Sequence, residues 1–232
     1  MENNDAKTRN RPLGWVIAGA GVVVFGVGAV LFVQASSTNT AEDNTYREAQ
    51  SQASEVFDSG GTQDSPIAVP DLPPSDTPPV ITGPFPEGDG ALIARLDFVR
   101  PGSDERPVSD EPIYVRDGVS DPVLALGPGR YPNTDVIGGI ENTAIAGHRT
   151  GFGSPFLRLD ELQPGDDVLV TNPDGDQWTY RVQGSEIVDP DAAWVLGPDP
   201  LELGKATLTL TTCDPPNSDV KRLVVFAERI DG

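Results

Sequence analysis

The pattern of hydrophobic and polar positions changes twice along this chain of 232 residues. An uncharged apolar run covers residues 13–33, and a polar, proline-rich stretch follows over residues 34–89. From residue 90 to 232, short runs rich in Val, Ile, Leu and Thr alternate with clusters of Gly, Pro and Asp. Such runs are typical of β-strands. The pattern predicts an apolar segment, a linker and one all-β domain.

The all-β domain contains seven candidate strands and one candidate helix. The strands are predicted at LIARLDFV, EPIYVRD, NTAIAGH, DDVLVTN, QWTYRVQGSEIV, KATLTLTTC and RLVVFAERI. PFLRLDEL, residues 155–162, has apolar residues at helical spacing and predicts a short helix. Seven or more short strands in a domain of this size favour a sandwich or a small barrel.

The apolar run at residues 13–33 has the length of a transmembrane helix. At about 1.5 Å per residue it covers roughly 31 Å, the thickness of the hydrocarbon core. Three basic residues precede it, and the first charged residue after it is Glu42. The positive-inside rule then places residues 1–12 in the cytoplasm and the remainder outside the cell. The alternative is a cleaved signal peptide, whose apolar core is normally shorter.

The stretch over residues 34–89 is poor in large aliphatic side chains and rich in acidic residues and proline. Such a composition buries too little apolar surface to offset chain entropy. It predicts a disordered, semi-rigid stalk, with weak helicity over residues 40–57. The net charge of −20 argues against a nucleic-acid partner, because phosphate binding requires clustered basic residues.

The chain has one cysteine, Cys213, at the end of the candidate strand KATLTLTTC. Side chains two apart share a face of a strand, so Leu208 and Leu210 face the core while Thr209, Thr211 and Cys213 face the other way. A structural cysteine packs like a small hydrophobic residue. Its position in a row of hydroxyl side chains therefore favours a chemical role.

Two further residues accompany Cys213. Arg222 begins the next candidate strand, and an antiparallel return would bring it close to Cys213; the alternative is an ordinary exposed arginine at a strand start. His148, the only histidine, ends the apolar run TAIAGH, and a structural role is the alternative there. A thiolate nucleophile needs a proton-transfer partner and an oxyanion donor, and imidazole and guanidinium groups supply both.

These residues lie in motifs that resemble those of sortases, the cysteine transpeptidases that attach proteins to Gram-positive cell walls. The motifs are TLTTC followed by RLVV, IAGHR around His148, and GPGRYPNT. Together with AIAGHRTGFGSPFLRLDELQPGD they are most similar to the actinobacterial class E, or housekeeping, branch. The resemblance covers nearly all of residues 110–232 and implies an eight-stranded β-barrel with short helices.

The resemblance also implies roles for individual residues. Cys213 is the expected nucleophile, His148 the general acid/base and Arg222 the group that stabilises the oxyanion. Tyr131, in GPGRYPNT, matches a tyrosine that tunes the choice of signal. The two threonines before the nucleophile, Thr211 and Thr212, are expected to line the substrate groove.

The implied reaction cleaves a C-terminal LAxTG- or LPxTG-like sorting signal between Thr and Gly through a thioacyl enzyme. The partners are then secreted proteins that carry this signal and an amine of the cell-wall precursor. No cofactor and no required metal are expected. The implied localisation is the cell membrane, with a single span and an extracellular catalytic domain.

Three alternatives accompany this interpretation. A pilin-polymerising sortase would carry a lid with an Asp-Pro-aromatic plug, for which residues 84–92 are a poor candidate, and the chain ends without a second candidate span. A non-catalytic scaffold with the sortase fold is the second. An L,D-transpeptidase is the third, but its closely spaced His and Cys are not found here.

Overall fold

The computed structural model describes residues 40–60, 79–81, 88 and 90–230. The predicted membrane span at residues 13–33 lies outside these residues. Among the residues that the structure does describe, no helix is both long enough and apolar enough to cross a membrane.

Eight strands form a closed barrel in the order β1-β2-β3-β4-β7-β8-β6-β5. They are β1 (Leu92–Val99), β2 (Ile113–Asp117), β3 (Gly129–Arg130), β4 (Asn142–Ala146), β5 (Asp167–Thr171), β6 (Gln177–Val188), β7 (Thr207–Asp214) and β8 (Lys221–Arg229). Pairing is antiparallel except between β2 and β3 and between β4 and β7. The eight-stranded barrel expected from the resemblance is therefore confirmed.

The barrel interior is filled by alternate residues of the strands, as the period of two predicts. Leu208 and Leu210 of β7 and Leu223, Val225 and Ala227 of β8 belong to this central cluster. The residues between them face outward but are also buried. A second cluster on the outer face of β4, β7 and β8 covers them, so both faces of these strands are enclosed.

Two local predictions differ from the structure. The strand β3 is not among the seven predicted strands, because two residues flanked by Pro and Tyr carry no detectable period. The segment 155–162 forms turns and a 3-10 helix over Leu159–Glu161 instead of an α-helix. Gln163 precedes Pro164, and the residue before proline is disfavoured in the helical region. The remaining short helices are a single turn over Asp121–Leu124 and a 3-10 helix over Ala193–Leu196.

A helix over residues 40–58, α1, departs most clearly from the disordered stalk predicted for residues 34–89. Ala53 and Phe57 on one face of α1 pack against Leu92 of β1 and Tyr114 of β2. The Gln50 amide nitrogen donates to the carbonyl oxygens of Tyr114 and Leu126, at 3.1 and 2.9 Å. Tertiary packing stabilises a helix that sequence propensity alone leaves weak.

Candidate active site

Cys213 and Arg222 are direct cross-strand partners on β7 and β8. Both lie on the outer face of the barrel, and both are buried, with 4% and 3% of their surface exposed. The Arg222 Nη1 atom donates to the carbonyl oxygens of Asp219 and Lys221, at 2.8 and 2.9 Å. These bonds hold the guanidinium at the mouth of the β7–β8 loop, on the same face as the thiol.

His148 lies beside Cys213 because β4 and β7 are parallel neighbours. Ala146 pairs with Thr211, so the residue two positions further on each strand, His148 and Cys213, comes next in the same register. The pairing continues past β4, since the Gly147 amide donates to the Thr211 carbonyl at 3.1 Å. The structure therefore brings the three predicted catalytic residues to one end of the β4-β7-β8 sheet.

A glycine is required between β4 and His148 by close packing. A Cβ atom at Gly147 would come within 2.6 Å of the Phe156 ring, which is fully buried in the barrel interior. The Phe152 ring lies against the His148 imidazole, with centroids 4.9 Å apart. Phe156 thus packs closely against Gly147, and Phe152 packs against the imidazole of His148.

Burial holds both reactive groups in their neutral forms. Removal from water lowers the pKa of His148 to about 4. Burial likewise raises the pKa of the Cys213 thiol, and Asp219 adds to this effect, while Arg222 and Arg149 oppose it. Among the described residues, the His148 Nε2 atom has no hydrogen-bond partner. Both shifts favour a thiol and a neutral imidazole over an ion pair.

Tyr131 lies fully buried on the same outer face. Its hydroxyl is 2.9 Å from Thr211 Oγ1 and accepts a hydrogen bond from the Ile81 amide at 2.8 Å. Burial raises the pKa of Tyr131 to about 12, although both hydrogen bonds and Arg222 act against the increase. Tyr131 and Thr211 therefore line the face that carries Cys213.

Thr212 does not share that face. It has the parity of Leu210 and pairs with Leu223, and both of these belong to the barrel interior. Its hydroxyl donates to the Gly147 carbonyl at 2.7 Å. The structure thus places Thr212 in the connection between β7 and the end of β4, and not in the groove where it was expected.

Sequence reasoning missed two residues that support the site. Arg149, 4% exposed, donates through Nη1 to the Cys213 carbonyl at 3.3 Å and to the Asp214 carboxylate, and its Nη2 lies 2.9 Å from Asp160. The buried Asn142 accepts hydrogen bonds from the Thr207 and Thr209 hydroxyls at 3.1 and 2.9 Å. The sequence feature that could have identified Arg149 as part of the site is its position directly after His148.

Residues 79–81 also lie against this face. The Val80 carbonyl accepts a hydrogen bond from Arg222 Nε at 2.9 Å, and the Pro79 carbonyl lies 3.4 Å from Thr211 Oγ1. The sequence offers residues 84–92 as a poor candidate for a lid, whereas the segment in contact with the site precedes them. Hydrogen bonds to backbone atoms leave no mark in the sequence.

Comparison with known proteins places this site in a family. The model of the sortase domain matches residues 107–230, which is more than half of the chain. Among curated proteins, sortase SrtE1 of Streptomyces coelicolor is 29% identical over 163 residues, covering 64% of this chain and 43% of that protein. Sortase SrtE2 of the same organism is 33% identical over 128 residues, covering 50% of this chain and 46% of that protein. The chain spans less than half the length of these two relatives.

Solved structures agree on the fold. Sortase E from Streptomyces avermitilis aligns with a TM-score of 0.51 at 33% identity, covering 61% of this chain and 90% of that chain. Sortase E1 from Streptomyces coelicolor, solved with a tripeptide in the active site, aligns with a TM-score of 0.53 at 24% identity. It covers 63% of this chain and 92% of that chain, and at this identity the likeness shows the fold alone. From the matched family model and the shared barrel, we conclude that the chain belongs to the sortase family.

Proposed function

We propose that this protein is a cysteine transpeptidase of the class E type, which cleaves an LAxTG- or LPxTG-like sorting signal and joins the released acyl group to a cell-wall amine. The observation that carries the proposal is the placement of Cys213 opposite Arg222, with His148 at the end of the adjacent parallel strand. A nucleophile, a proton-transfer group and a fixed cation on one face are the groups that acyl transfer needs.

In the first half of the reaction, the Cys213 sulfur attacks the carbonyl carbon of the signal's threonine, and the thiol proton passes to His148. Arg222, held by backbone carbonyls, stabilises the negative oxygen of the tetrahedral intermediate. Collapse of the intermediate breaks the Thr–Gly bond, and His148 returns the proton to the departing glycine amine. The product of this half is a thioester between threonine and Cys213.

In the second half, an amine attacks the thioester carbonyl and gives its proton to His148. The C–S bond breaks, and the Cys213 sulfur recovers a proton as the new amide forms. Because a neutral imidazole can accept the thiol proton, the neutral resting pair is a competent starting state. The acceptor amine and the secreted substrates are those that the family resemblance implies.

The proposal includes the membrane anchor predicted at residues 13–33, with the N-terminus in the cytoplasm and the barrel outside the cell. The net charge of −20 suits a peptide substrate better than nucleic acid.

A single assay tests the proposed reaction. The full chain in detergent micelles is mixed with LAxTG or LPxTG peptides and an oligoglycine acceptor, and products are identified by mass spectrometry. We expect cleavage between Thr and Gly and a new Thr–oligoglycine amide, with no product from Cys213→Ala. A folded protein that gives no product with either peptide would favour the non-catalytic scaffold.

The same assay addresses the pilin-polymerising alternative. With a lysine-bearing pilin-like peptide as the acceptor, a polymerising enzyme would prefer the lysine side-chain amine to oligoglycine. The contact segment Pro79–Val80–Ile81 lacks the Asp-Pro-aromatic plug of that branch, so we expect oligoglycine to be preferred.

A further inference from the structure

Residues 151–154, which we term the left-handed turn, follow His148 and have a strained backbone. Their φ angles are +76°, +46°, +71° and +51° for Gly151, Phe152, Gly153 and Ser154. Glycine adopts such angles at little cost, but the side chains of Phe152 and Ser154 make them unfavourable. Strained residues of this kind persist only where neighbouring contacts hold them, and they are concentrated at functional sites.

The left-handed turn carries the aromatic ring that contacts the proposed proton-transfer group. Phe152 is 7% exposed, and its ring centroid lies 4.9 Å from that of the His148 imidazole. The Ser154 amide donates to the Gly151 carbonyl at 2.8 Å, and the Phe156 amide donates to the His148 carbonyl at 3.0 Å. The position of the Phe152 ring beside the imidazole therefore depends on the conformation of this turn.

Helix α1 contacts the left-handed turn through two side chains. The Gly153 amide donates to the Asp43 carboxylate at 3.0 Å, although the two residues are 110 positions apart. The Tyr46 ring lies directly over Gly153, because a Cβ atom at Gly153 would overlap that ring. Residues three apart share a face of a helix, so Asp43 and Tyr46 reach the turn together.

The following turns of α1 are attached to the barrel. The Gln50 side chain accepts a hydrogen bond from the Tyr114 amide at 2.8 Å and donates to the carbonyls of Tyr114 and Leu126. Ala53 and Phe57 pack against β1 and β2. Helix α1 therefore connects the strands on one side of the barrel to the turn beside His148.

We propose that Asp43 and Tyr46 of helix α1 are positioning residues for His148, which act through the left-handed turn and the Phe152 ring. This inference rests on the proposed function for the role of His148 in proton transfer. Acyl transfer requires the imidazole at a fixed distance from the nucleophile, and a misplacement of about 1 Å lowers the rate by roughly 100-fold.

Positioning has a consequence that a contribution to stability alone does not have. When α1 no longer holds the turn, the Phe152 ring leaves the imidazole and water reaches it. Because burial lowers the pKa of His148, its pKa should then rise from about 4 toward the ordinary value. Loss of the Asp43 carboxylate would by its charge alone lower the pKa of His148, so an increase identifies access of water.

The test is an NMR titration of His148 in the full chain, in wild type, Tyr46→Ala and Asp43→Ala. The chain has one histidine, so the folded protein gives one set of imidazole signals, and unfolded molecules give a separate set. We expect a neutral imidazole down to about pH 5 in wild type and protonation with a midpoint above about pH 5 in both variants. The other ionisable groups around this site are kept in every protein: Glu42, Arg149, Cys213, Asp214, Asp219 and Arg222.

Two further variants serve as controls. Asp43→Asn keeps an oxygen that can accept the Gly153 hydrogen bond, so its titration should match that of wild type. Glu55→Ala removes an exposed acidic residue from the same helix and should also match wild type. A wild-type titration in both folded Tyr46→Ala and Asp43→Ala, or an equal shift in Glu55→Ala, would overturn the inference.

Kinetics with a cleavable signal peptide give the second readout. We expect kcat to fall by roughly tenfold or more in Tyr46→Ala and Asp43→Ala, with KM close to that of wild type, because positioning acts on proton transfer and not on binding. Asp43→Asn should restore kcat. A shifted titration with the wild-type kcat would also overturn the inference.

The titration requires no sorting peptide, so the two proposals fail separately. If the variants shift the titration but neither they nor wild type cleave any signal, the proposed reaction is wrong and α1 still holds the imidazole. If cleavage occurs and both variants keep the wild-type titration and kcat, the reaction stands and the positioning role of α1 does not.

Discussion

Cys213 on β7 and Arg222 on β8 are directly opposite each other, and the Arg222 guanidinium also contacts the Val80 carbonyl through Nε, at 2.9 Å. One arginine thus serves the proposed chemistry and also binds the backbone of Val80. Its position depends on the barrel, because the register of β7 and β8 fixes which residues face each other.

Replacing Arg222 by lysine tests whether the guanidinium itself is needed. Lysine keeps the charge but loses the fixed fork of donors. We expect kcat for peptide cleavage to fall by roughly 100-fold or more, as for the loss of one oxyanion donor. Arg229→Lys is the control: Arg229 also lies on β8 and donates to the Gly138 and Gly139 carbonyls, away from the site. If the Arg222→Lys variant retained nearly the wild-type kcat, a positive charge at this position would suffice and the guanidinium fork would not be needed.

Burial of His148 predicts a loss of stability in acid. Its folded pKa, about 4, lies below the ordinary value of 6.5, so the neutral form favours folding fully above pH 6.5. As the pH falls from 6.5 to 4, the unfolded chain binds a proton that the folded chain does not, and stability is lost. The difference corresponds to about 3 kcal/mol.

The measurement is the free energy of unfolding by urea at pH 7 and pH 4, for wild type and His148→Gln. Glutamine does not titrate, so this variant should lose about 3 kcal/mol less over the interval. Equal losses in the two proteins would show that His148 is not buried in its neutral form.

The thiol predicts a second pH effect. Because burial raises the pKa of Cys213, alkylation of wild type should rise with pH and have its midpoint above the ordinary thiol value of about 8.5. A pH–rate profile of Cys213 alkylation with iodoacetamide measures this midpoint. A wild-type midpoint well below the ordinary thiol value would indicate a thiolate stabilised in the resting enzyme instead.

Arg149 should contribute strongly to stability through its buried contacts with Cys213 and Asp214. Arg149→Met leaves these acceptors without their cation, and we expect a loss of about 3 kcal/mol in urea unfolding. Arg158→Met is the control, because Arg158 pairs with Glu161 at the surface, where such pairs contribute less than about 1 kcal/mol. Comparable losses of unfolding free energy in the two variants would contradict a stabilising role for the buried contacts of Arg149.

Helix α1 should fold together with the barrel. Ala53 is fully buried against β1 and β2, so Ala53→Asp should release the helix, while Gln52→Asp on the exposed side should not. Hydrogen exchange measured over residues 41–58 checks this directly. We expect protection in wild type and Gln52→Asp and its loss in Ala53→Asp. If wild type showed no protection from exchange, the predicted disordered stalk would be correct for these residues.

Local sequence patterns predicted the strands whose side chains alternate between the barrel interior and the outer face. The alternation in KATLTLTTC placed Leu208 and Leu210 inside the barrel and Thr211 and Cys213 outside. What the patterns missed depends on contacts between distant residues. Arg149 and Asn142 are recognisable only once β4 and β7 are paired. Likewise, the hydrogen bonds that join Val80 and Ile81 to the site use backbone atoms, which any sequence shares.

Trapping the thioacyl enzyme tests the proposed reaction at its covalent step. The full chain is incubated with an LAxTG peptide in the absence of an amine acceptor, quenched in acid, and analysed by intact-mass and peptide mass spectrometry. We expect wild type to carry the peptide acyl group that ends in threonine on Cys213, and we expect no adduct in Cys213→Ala. Cleavage between Thr and Gly by Cys213→Ala, or an acyl group attached to any other residue, would contradict it.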